Sequence, residues 1–417
     1  MKTVILGQGY VGLPVAMRAV DAGHDVIGFD VDIERSVRLG AGISHVEDVS
    51  TATLLAALAT GRYQPTSDTE ACAGFEVAVI TVPTPLVEGN PDLSFVEEAT
   101  EIVARALTRG ATVILESTTY PGTTEELVLP ILEKRSGLVA GIDFHLGYSP
   151  ERIDPGNNQW TFANVPKIVA GIDSPSLDAV QAFYATLVER TVPVSSPSVA
   201  ELVKLLENTF RHVNIALVNE FAMLANALDI DIWEAIDAAA TKPFGFMQFT
   251  PGPGVGGHCL PVDPSYLSWQ VRRRLDTPFR FIELANDVNG RMPDYVVGRV
   301  VAALNRKGKA ANGSRLLLLG LAYKPNTSDT RGSPAAKVAE RLVALGANVL
   351  VADPHVETHP IDEKVTRVDL TAEEIASSDA VIVLTDHDDF DFGLVLDEAG
   401  YVLDTRNRIR GPRVEQL

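Results

Sequence analysis

Cysteine is scarce in this chain. The 417 residues hold two, too few to staple a fold of that size, which excludes a disulfide scaffold. Basic residues are also outnumbered: 35 lysines and arginines stand against 55 acids, a formal charge of −20. That balance excludes a nucleic-acid binder, which needs a basic surface to meet phosphates. It also disfavours adsorption to anionic membranes. An anionic ligand would have to be met by a few cations gathered locally. Long apolar runs are missing too, the longest extending from Leu316 to Ala322, far short of the ~20 residues of a membrane helix. Met1-Lys2-Thr3 leads at once into Val4-Ile5-Leu6-Gly7, with no apolar core of a signal peptide. A cytoplasmic location is therefore expected.

What is present is ordinary for a folded protein, with 46% apolar and 22% charged residues, so wholesale disorder is excluded. At roughly 150 residues per domain the length predicts two or three domains. Val4–Leu6, Val26–Phe29, Val77–Val82, Thr112–Leu115, Phe144–Tyr148 and Lys167–Ala170 read as strands. They barely alternate, as strands buried on both faces do. Leu54–Ala59 and Val96–Leu107 between them read as helices, and the alternation predicts a doubly wound parallel sheet. After a turn-rich stretch from Pro193 to Pro197, Ser198-Val199-Ala200-Glu201 has the spacing of a capping box. A helical pattern continues to Leu228, roughly 45 Å at 1.5 Å per residue, long enough for a spine between domains or a dimer seam. A second helix, Ile232–Ala240, precedes a Gly/Pro-rich loop from Pro243 to Pro264.

From about Asn312 the opening plan repeats, with strands at Arg315–Gly320, Val349–Ala352, Val381–Leu384 and Tyr401–Leu403 and a helix at Ala335–Leu345. Arg406 to Leu417 reads as a polar, mobile tail. The expected fold is α/β: two Rossmann-like doubly wound domains joined by a long central helix and a helical middle domain. The boundaries are placed at 1–197, 198–300 and 301–417.

Gly7-Gln8-Gly9-Tyr10-Val11-Gly12 lies between the first strand and a helix, and Asp30 ends the second strand. In that context the glycines permit a tight turn and bring backbone amides up to a pyrophosphate at a helix N-terminus. Asp30, 18 residues after Gly12, can accept the ribose hydroxyls and would repel a 2′-phosphate, so NAD is expected rather than NADP. Arg35 is placed to contact the adenine or the phosphate. Cys259 follows the flexible Gly254-Val255-Gly256-Gly257. Paired with a nicotinamide cofactor, a thiol can add to an aldehyde, lose hydride and leave a hydrolysable thioester. Cys72, in Ala71-Cys72-Ala73, reads as a small packed or surface residue. Lys204 and Asn208 lie four apart on one helix face, in a turn too apolar, with Leu202, Val203, Leu205 and Leu206, for a purely solvated stripe. No metal site is assigned.

These motifs, with Ser117-Thr118-Thr119-Tyr120-Pro121-Gly122-Thr123, Ser149-Pro150-Glu151, Gly256-Gly257-His258-Cys259-Leu260-Pro261-x-Asp263, Tyr323-Lys324-Pro325-Asn326 and Asp329-Thr330-Arg331, resemble in order the UDP-glucose/GDP-mannose dehydrogenase family. The resemblance covers the whole chain. It implies a four-electron oxidation of a nucleotide sugar's C6 alcohol to a carboxylate with two NAD. Cys259 would be the nucleophile, forming a thiohemiacetal and then a thioester. Lys204 and Asn208 would stabilise the oxyanion, Asp263 and Thr118 would hold a water, and Glu151 would be the general base of hydrolysis. Implied cofactor contacts are Gly7, Gly9, Tyr10, Val11, Gly12, Asp30, Arg35, Pro83, Thr84, Thr118 and Arg331. Implied substrate contacts are Glu151, Arg152, Lys204, Asn208, Phe249, Gly252, Tyr266, Lys324 and Arg406. The C-terminal domain would bind the nucleotide and the central helix would build a homodimer.

Ser149-Pro150-Glu151-Arg152-Ile153-Asp154-Pro155-Gly156, Lys242-Pro243-Phe244-Gly245-Phe246-Met247 and Pro251-Gly252-Pro253-Gly254 are most similar to the UDP-N-acetylhexosamine (GlcNAc/ManNAc) 6-dehydrogenase branch. Enzymes specific for UDP-glucose more often carry a second glutamate where Pro155 stands. The branch also includes relatives acting on dTDP-glucose. Gly332 departs from the family's usual glutamate. Two other classes stay open: a two-electron hydroxyacid dehydrogenase, which has no use for Cys259, and a non-catalytic NAD or nucleotide-sugar sensor.

Overall fold

The computed structural model describes residues 1–153, 157, 159–257, 259–356 and 363–417. The chain forms two compact units, Met1–Glu207 with Ser265–Asp276, and Asn208–Pro264 with Thr277–Leu417. The strands in chain order are Lys2–Leu6 (β1), Asp25–Phe29 (β2), Tyr63–Thr66 (β3), Val77–Ile80 (β4), Leu86–Val87 (β5), Asn90–Pro91 (β6), Thr112–Leu115 (β7), His145–Tyr148 (β8), Lys167–Gly171 (β9) and Thr191–Pro193 (β10). Then follow Arg315–Leu319 (β11), Asn348–Ala352 (β12), Thr366–Arg367 (β13), Ala380–Val383 (β14), Val402–Asp404 (β15) and Val414–Gln416 (β16).

In the first unit eight strands form one sheet in the order β10-β9-β8-β7-β4-β1-β2-β3. All its pairs are parallel except β8 with β9. The strand order reverses between β1 and β4, which is where a doubly wound sheet opens toward ligands. Val77 to Ile80 and Thr112 to Leu115 are buried throughout, which is why these strands do not alternate in sequence. The second unit repeats the design in six parallel strands, β13-β12-β11-β14-β15-β16. Its leucine run serves two faces: Leu316 and Leu318 enter one apolar cluster, Leu317 and Leu319 the other. The expected α/β architecture, Rossmann-like sheets with a helical central region, is therefore present.

The 31-residue helix Pro197–Ala227 is present, but not with the expected start. Pro197 takes the first helical position, where its fixed φ and missing N–H are tolerated. Ser196 accepts from the Val199 amide at 3.3 Å, so Ser198-x-x-Glu201 is not a capping box. The Ser198 hydroxyl instead donates to Glu125. Glu201 is fully buried and accepts from the Gly122 amide and from the Thr124 amide and hydroxyl.

Two further expectations are corrected. The loop from Pro243 does not run to Pro264, because the helix Cys259–Leu275 begins at the cysteine with Pro264 inside it. A 27-residue helix, Arg280–Arg306, follows, to which the sequence pattern assigned no element; Asn289, Gly290 and Pro293 interrupt its periodicity. The tail is not free either. Val414–Gln416 pairs with β15, Leu417 is buried, and Glu415 accepts from Arg299, Arg306 and Tyr401. These polar residues read as a tail because their partners are remote in sequence. Among the described residues no helix is long and apolar enough to cross a membrane.

Arg299 is largely buried and Glu415 is its carboxylate partner. Glu415→Ala is expected to lower stability by about 2 kcal/mol, measured as a shift in the urea midpoint of the full chain.

Candidate active site

At the switch point of the first sheet Gly7 adopts φ +90°, and its amide donates to the Phe29 carbonyl at 2.8 Å. A Cβ on Gly7 would lie 2.8 Å from the Thr81 carbonyl oxygen, and one on Gly12 only 1.8 Å from the Gly7 oxygen. A Cβ on Gly9 would meet nothing within 4 Å. Gly7 and Gly12 are thus required by the fold, whereas Gly9 borders open space. The helix Gly12–Asp21 starts there with no acid in its first turn and no side-chain cap on Val11, leaving its positive end for an anion.

Asp30, almost fully buried, accepts from the amides of Gln8 at 2.8 Å and Asp32 at 3.0 Å. Arg35 Nη1 reaches the same carboxylate at 2.9 Å. Gln8, missed by the sequence reading, is locked under the turn. Its amide nitrogen donates to the Ile5 carbonyl, and its oxygen accepts from Tyr63. Tyr10 is partly exposed, Val11 half-buried, Pro83 exposed and Thr84 buried. A dinucleotide fits this turn: the open face at Gly9 admits a pyrophosphate, and Asp30 is set to receive ribose hydroxyls.

The second sheet carries the same arrangement without the fingerprint sequence. Gly320, at φ +87°, donates to the Ala352 carbonyl at 2.9 Å, and Asp353 accepts from the Leu321 amide at 2.6 Å. His387 closes on Asp353 at 3.1 Å, with both side chains fully buried. Burial opposes ionisation of Asp353, but His387 and the backbone amides outweigh it and hold its carboxyl well below the usual range.

Thr118, Glu151, Arg152 and Lys204 belong to the first unit. Thr118 is half-buried, and Glu151 and Lys204 are buried. Glu151 Oε1 accepts from the Arg152 and Ile153 amides at 2.6 and 2.7 Å. Its Oε2 accepts from Lys167 at 2.8 Å. Lys167 also donates to Glu116, which receives the Tyr184 hydroxyl at 2.5 Å. Burial pushes the Glu116 carboxyl up to about 7 against the pull of Lys167. Burial also resists ionisation of Glu151, but Lys167 overcomes it, helped by Lys204, and the carboxyl is held down. Glu116, Lys167 and Tyr184 were not singled out in sequence; a lysine opening an apolar strand was the available signal. Arg152 forks onto Glu207 at 2.6 and 3.2 Å. Tyr266 is fully buried, its hydroxyl donating to the Pro85 carbonyl at 3.3 Å.

In the second unit the Asn208 amide donates to Asp263 at 2.6 Å. Asp263 is buried and lies four residues into the helix that Cys259 begins. The Cys259 side chain, His258 and Pro155 lie outside what the structure describes. Cys72 is buried, so it is a packed residue, and desolvation raises its thiol to about 11. Phe249 meets Phe210 edge-on at 5.8 Å. The Gly252 amide donates to Asn219 at 2.9 Å, and a Cβ there would sit 2.8 Å from Arg406 Nη1. Arg406 is anchored by the Leu384 carbonyl and Asp404. Lys324 lies 5.8 Å from the Tyr323 ring centroid, and Arg331 forks onto Asp329. Gly332 has φ +61°, and a Cβ would come 3.2 Å from the Gly257 oxygen. The Gly257 amide donates to the Arg331 carbonyl at 2.9 Å. The departure at Gly332 thus belongs to a backbone-to-backbone seat for the glycine loop that precedes Cys259.

A sheet opening beside a glycine turn, with an aspartate ending the neighbouring strand, defines a dinucleotide-binding domain. Three family models match in sequence order: the UDP-glucose/GDP-mannose dehydrogenase family NAD binding domain over residues 1–188, its central domain over 198–291 and its UDP binding domain over 317–411. The chain is 38% identical to the UDP-N-acetyl-D-mannosamine dehydrogenase of Pyrococcus horikoshii, over 94% of this chain and 90% of that one. It is 36% identical to the UDP-N-acetyl-D-glucosamine 6-dehydrogenase of Salmonella typhi, over 94% and 91%. A solved structure of UDP-D-ManNAc dehydrogenase from Pyrococcus horikoshii superposes with a TM-score of 0.91 at 35% identity, covering 100% of this chain and 99% of that chain. The chain belongs to the UDP-glucose/GDP-mannose dehydrogenase family and is an NAD-dependent nucleotide-sugar dehydrogenase.

Because Gly9 borders open space, Gly9→Ala is expected to fold with an unchanged melting temperature. Its methyl group intrudes where the pyrophosphate approaches, so NAD affinity should fall by about tenfold or more. Calorimetric titration with NAD measures this.

Proposed function

We propose that the protein oxidises the C6 alcohol of a UDP-N-acetylhexosamine to a carboxylate in two successive two-electron steps. The names of its relatives support the substrate class. The observation that carries the chemistry is the Asn208–Asp263 hydrogen bond at 2.6 Å. It ties the helix begun by Cys259 to Asn208, so the nucleophile's helix and an amide donor share one scaffold.

In this proposal NAD, when bound, takes up hydride in each oxidation. The Cys259 thiolate adds to the C6 aldehyde to give a thiohemiacetal, whose oxidation leaves a thioester on the sulfur. Lys204 and Asn208 stabilise the oxyanion, a cation and an amide donor being worth most where water is excluded. Asp263 and Thr118 hold the water of proton transfer, and Glu151 is the base for hydrolysis. Gly7, Gly9, Tyr10, Val11, Gly12, Asp30, Arg35, Pro83, Thr84, Thr118 and Arg331 serve the cofactor. Glu151, Arg152, Lys204, Asn208, Phe249, Gly252, Tyr266, Lys324 and Arg406 serve the sugar nucleotide. We assign residues 1–197 to NAD, 198–300 to the central domain and 301–417 to the nucleotide. A cytoplasmic homodimer completes the proposal. The exposed Leu206, Phe210, Leu217, Phe221 and Leu224 recur at helical spacing on Pro197–Ala227 and supply a seam.

Incubation with NAD and a panel of UDP-, dTDP- and GDP-hexoses tests the reaction. Two NADH and one new carboxylate per sugar are expected, with UDP-N-acetyl sugars preferred. One NADH with a ketone or aldehyde product would overturn the proposal, and preference for an unsubstituted hexose would overturn the substrate assignment. Cys259→Ser should stall after the first oxidation or leave an ester slow to hydrolyse; undiminished four-electron turnover would remove Cys259 from the mechanism. Phe221→Glu should shift the particle from dimer to monomer in light scattering.

A further inference from the structure

Lys167 opens strand β9 with its side chain almost wholly buried. Burying an ammonium is costly unless it is paired and hydrogen-bonded. Two carboxylates meet it. Glu116, fully buried, lies on one side, and Glu151 lies 2.8 Å away on the other. The rings of Phe162 and Tyr184 lie 5.0 and 5.2 Å from Nζ, and the Tyr184 hydroxyl completes Glu116. Apolar side chains of similar volume would stabilise this place at least as well. The cluster instead leaves Glu151 with no free rotation: backbone amides hold one oxygen and the lysine holds the other.

We propose that Lys167, with Glu116 as its second carboxylate, is a positioning residue that fixes the Glu151 carboxylate for hydrolysis of the thioester. The proposal rests on the function given above. In that step a water oxygen bonds to the thioester carbonyl carbon and its proton passes to Glu151. The carbon–sulfur bond breaks, its electron pair leaving with the Cys259 sulfur, and the C6 acid is released without change of oxidation state. A base that must meet one water at one carbon loses rate steeply when misplaced by an ångström. Lys167 does not touch the reacting atoms; it acts through Glu151. The charged groups that act on Glu151 are Lys167, Lys204 and Glu116, and those on Glu116 are Lys167 and Glu151, with the neutral Tyr184 hydroxyl donating to it.

The test uses the full chain with NAD and UDP-N-acetyl-D-mannosamine or UDP-N-acetyl-D-glucosamine, whichever turns over faster. In Lys167→Met the steady-state rate should fall on the order of 100-fold. The first two NADH per site should still form at the wild-type rate, and acyl-enzyme on Cys259 should accumulate as added mass in acid-quenched protein. Loss of the cation raises the Glu151 pKa, so the acid limb of the pH–rate profile should move to higher pH. Lys167→Arg should recover most of the rate. The double variant Glu116→Gln/Lys167→Met removes the lysine together with its second carboxylate and so guards against misfolding from an unpaired Glu116; it should show the same slow hydrolysis. An unchanged steady-state rate in the double variant would overturn the proposal. So would slowed first oxidation without acyl-enzyme. If Glu151→Gln itself accumulates no acyl-enzyme, the assignment of Glu151 fails, and this proposal with it.

Discussion

Each sheet of the molecule is opened by one interaction: a strand-end aspartate accepting the amide of the residue after a glycine. Asp30 takes Gln8 in the first sheet and Asp353 takes Leu321 in the second. In both, the preceding glycine amide is spent on the neighbouring strand. With that bond in place the glycine turn cannot relax back over the strand ends, and the switch point stays available. What then differs is the partner given to the aspartate. Partly exposed Arg35 leaves Asp30 close to solvent on one side, whereas buried His387 seals Asp353. One architecture is thereby set for two kinds of ligand.

The acidic balance of the chain acquires a physical meaning from this. A protein of charge −20 does not attract pyrophosphates by its overall field. In the proposed function local devices replace that field: an uncapped helix start after Gly12, and cations assigned to the ligands. Lys204 is buried one helical turn before Asn208. The Arg406 guanidinium is tethered by the Leu384 carbonyl, and Arg331 is held by Asp329. Most of these cations arrive already paired with an acid or a carbonyl. The excess of acids is thus partly the material that orients the bases.

The sheets were legible because buried parallel strands print their burial directly as unbroken apolar runs, as in Val77–Ile80 and Leu316–Leu319. The glycine turn was legible because only glycine survives the approaches at Gly7 and Gly12. Legibility failed where partners are distant. Nothing beside Glu201 announces that its carboxylate serves Gly122 and Thr124, so it reads as a local cap. Lys167 and Glu116 are 51 residues apart and unremarkable singly. Arg406–Leu417 reads as polar tail because Arg299, the partner of Glu415, lies more than a hundred residues earlier. The helix Arg280–Arg306 hid because Pro293 lies inside it.

The closing strand β16 also sets the order in which the chain can be completed during synthesis. The first unit needs Ser265–Asp276, so it can finish while later residues are still being added. The second sheet finishes later: its edge strand needs Val414–Gln416, and Arg299 waits for Glu415 until then. Domains generally fold as units as they emerge, and here the later unit must remain unfinished until β16 has emerged. Its apolar strands stay unpaired at that edge for the interval, so the wait for β16 is when this sheet is most open to other chains.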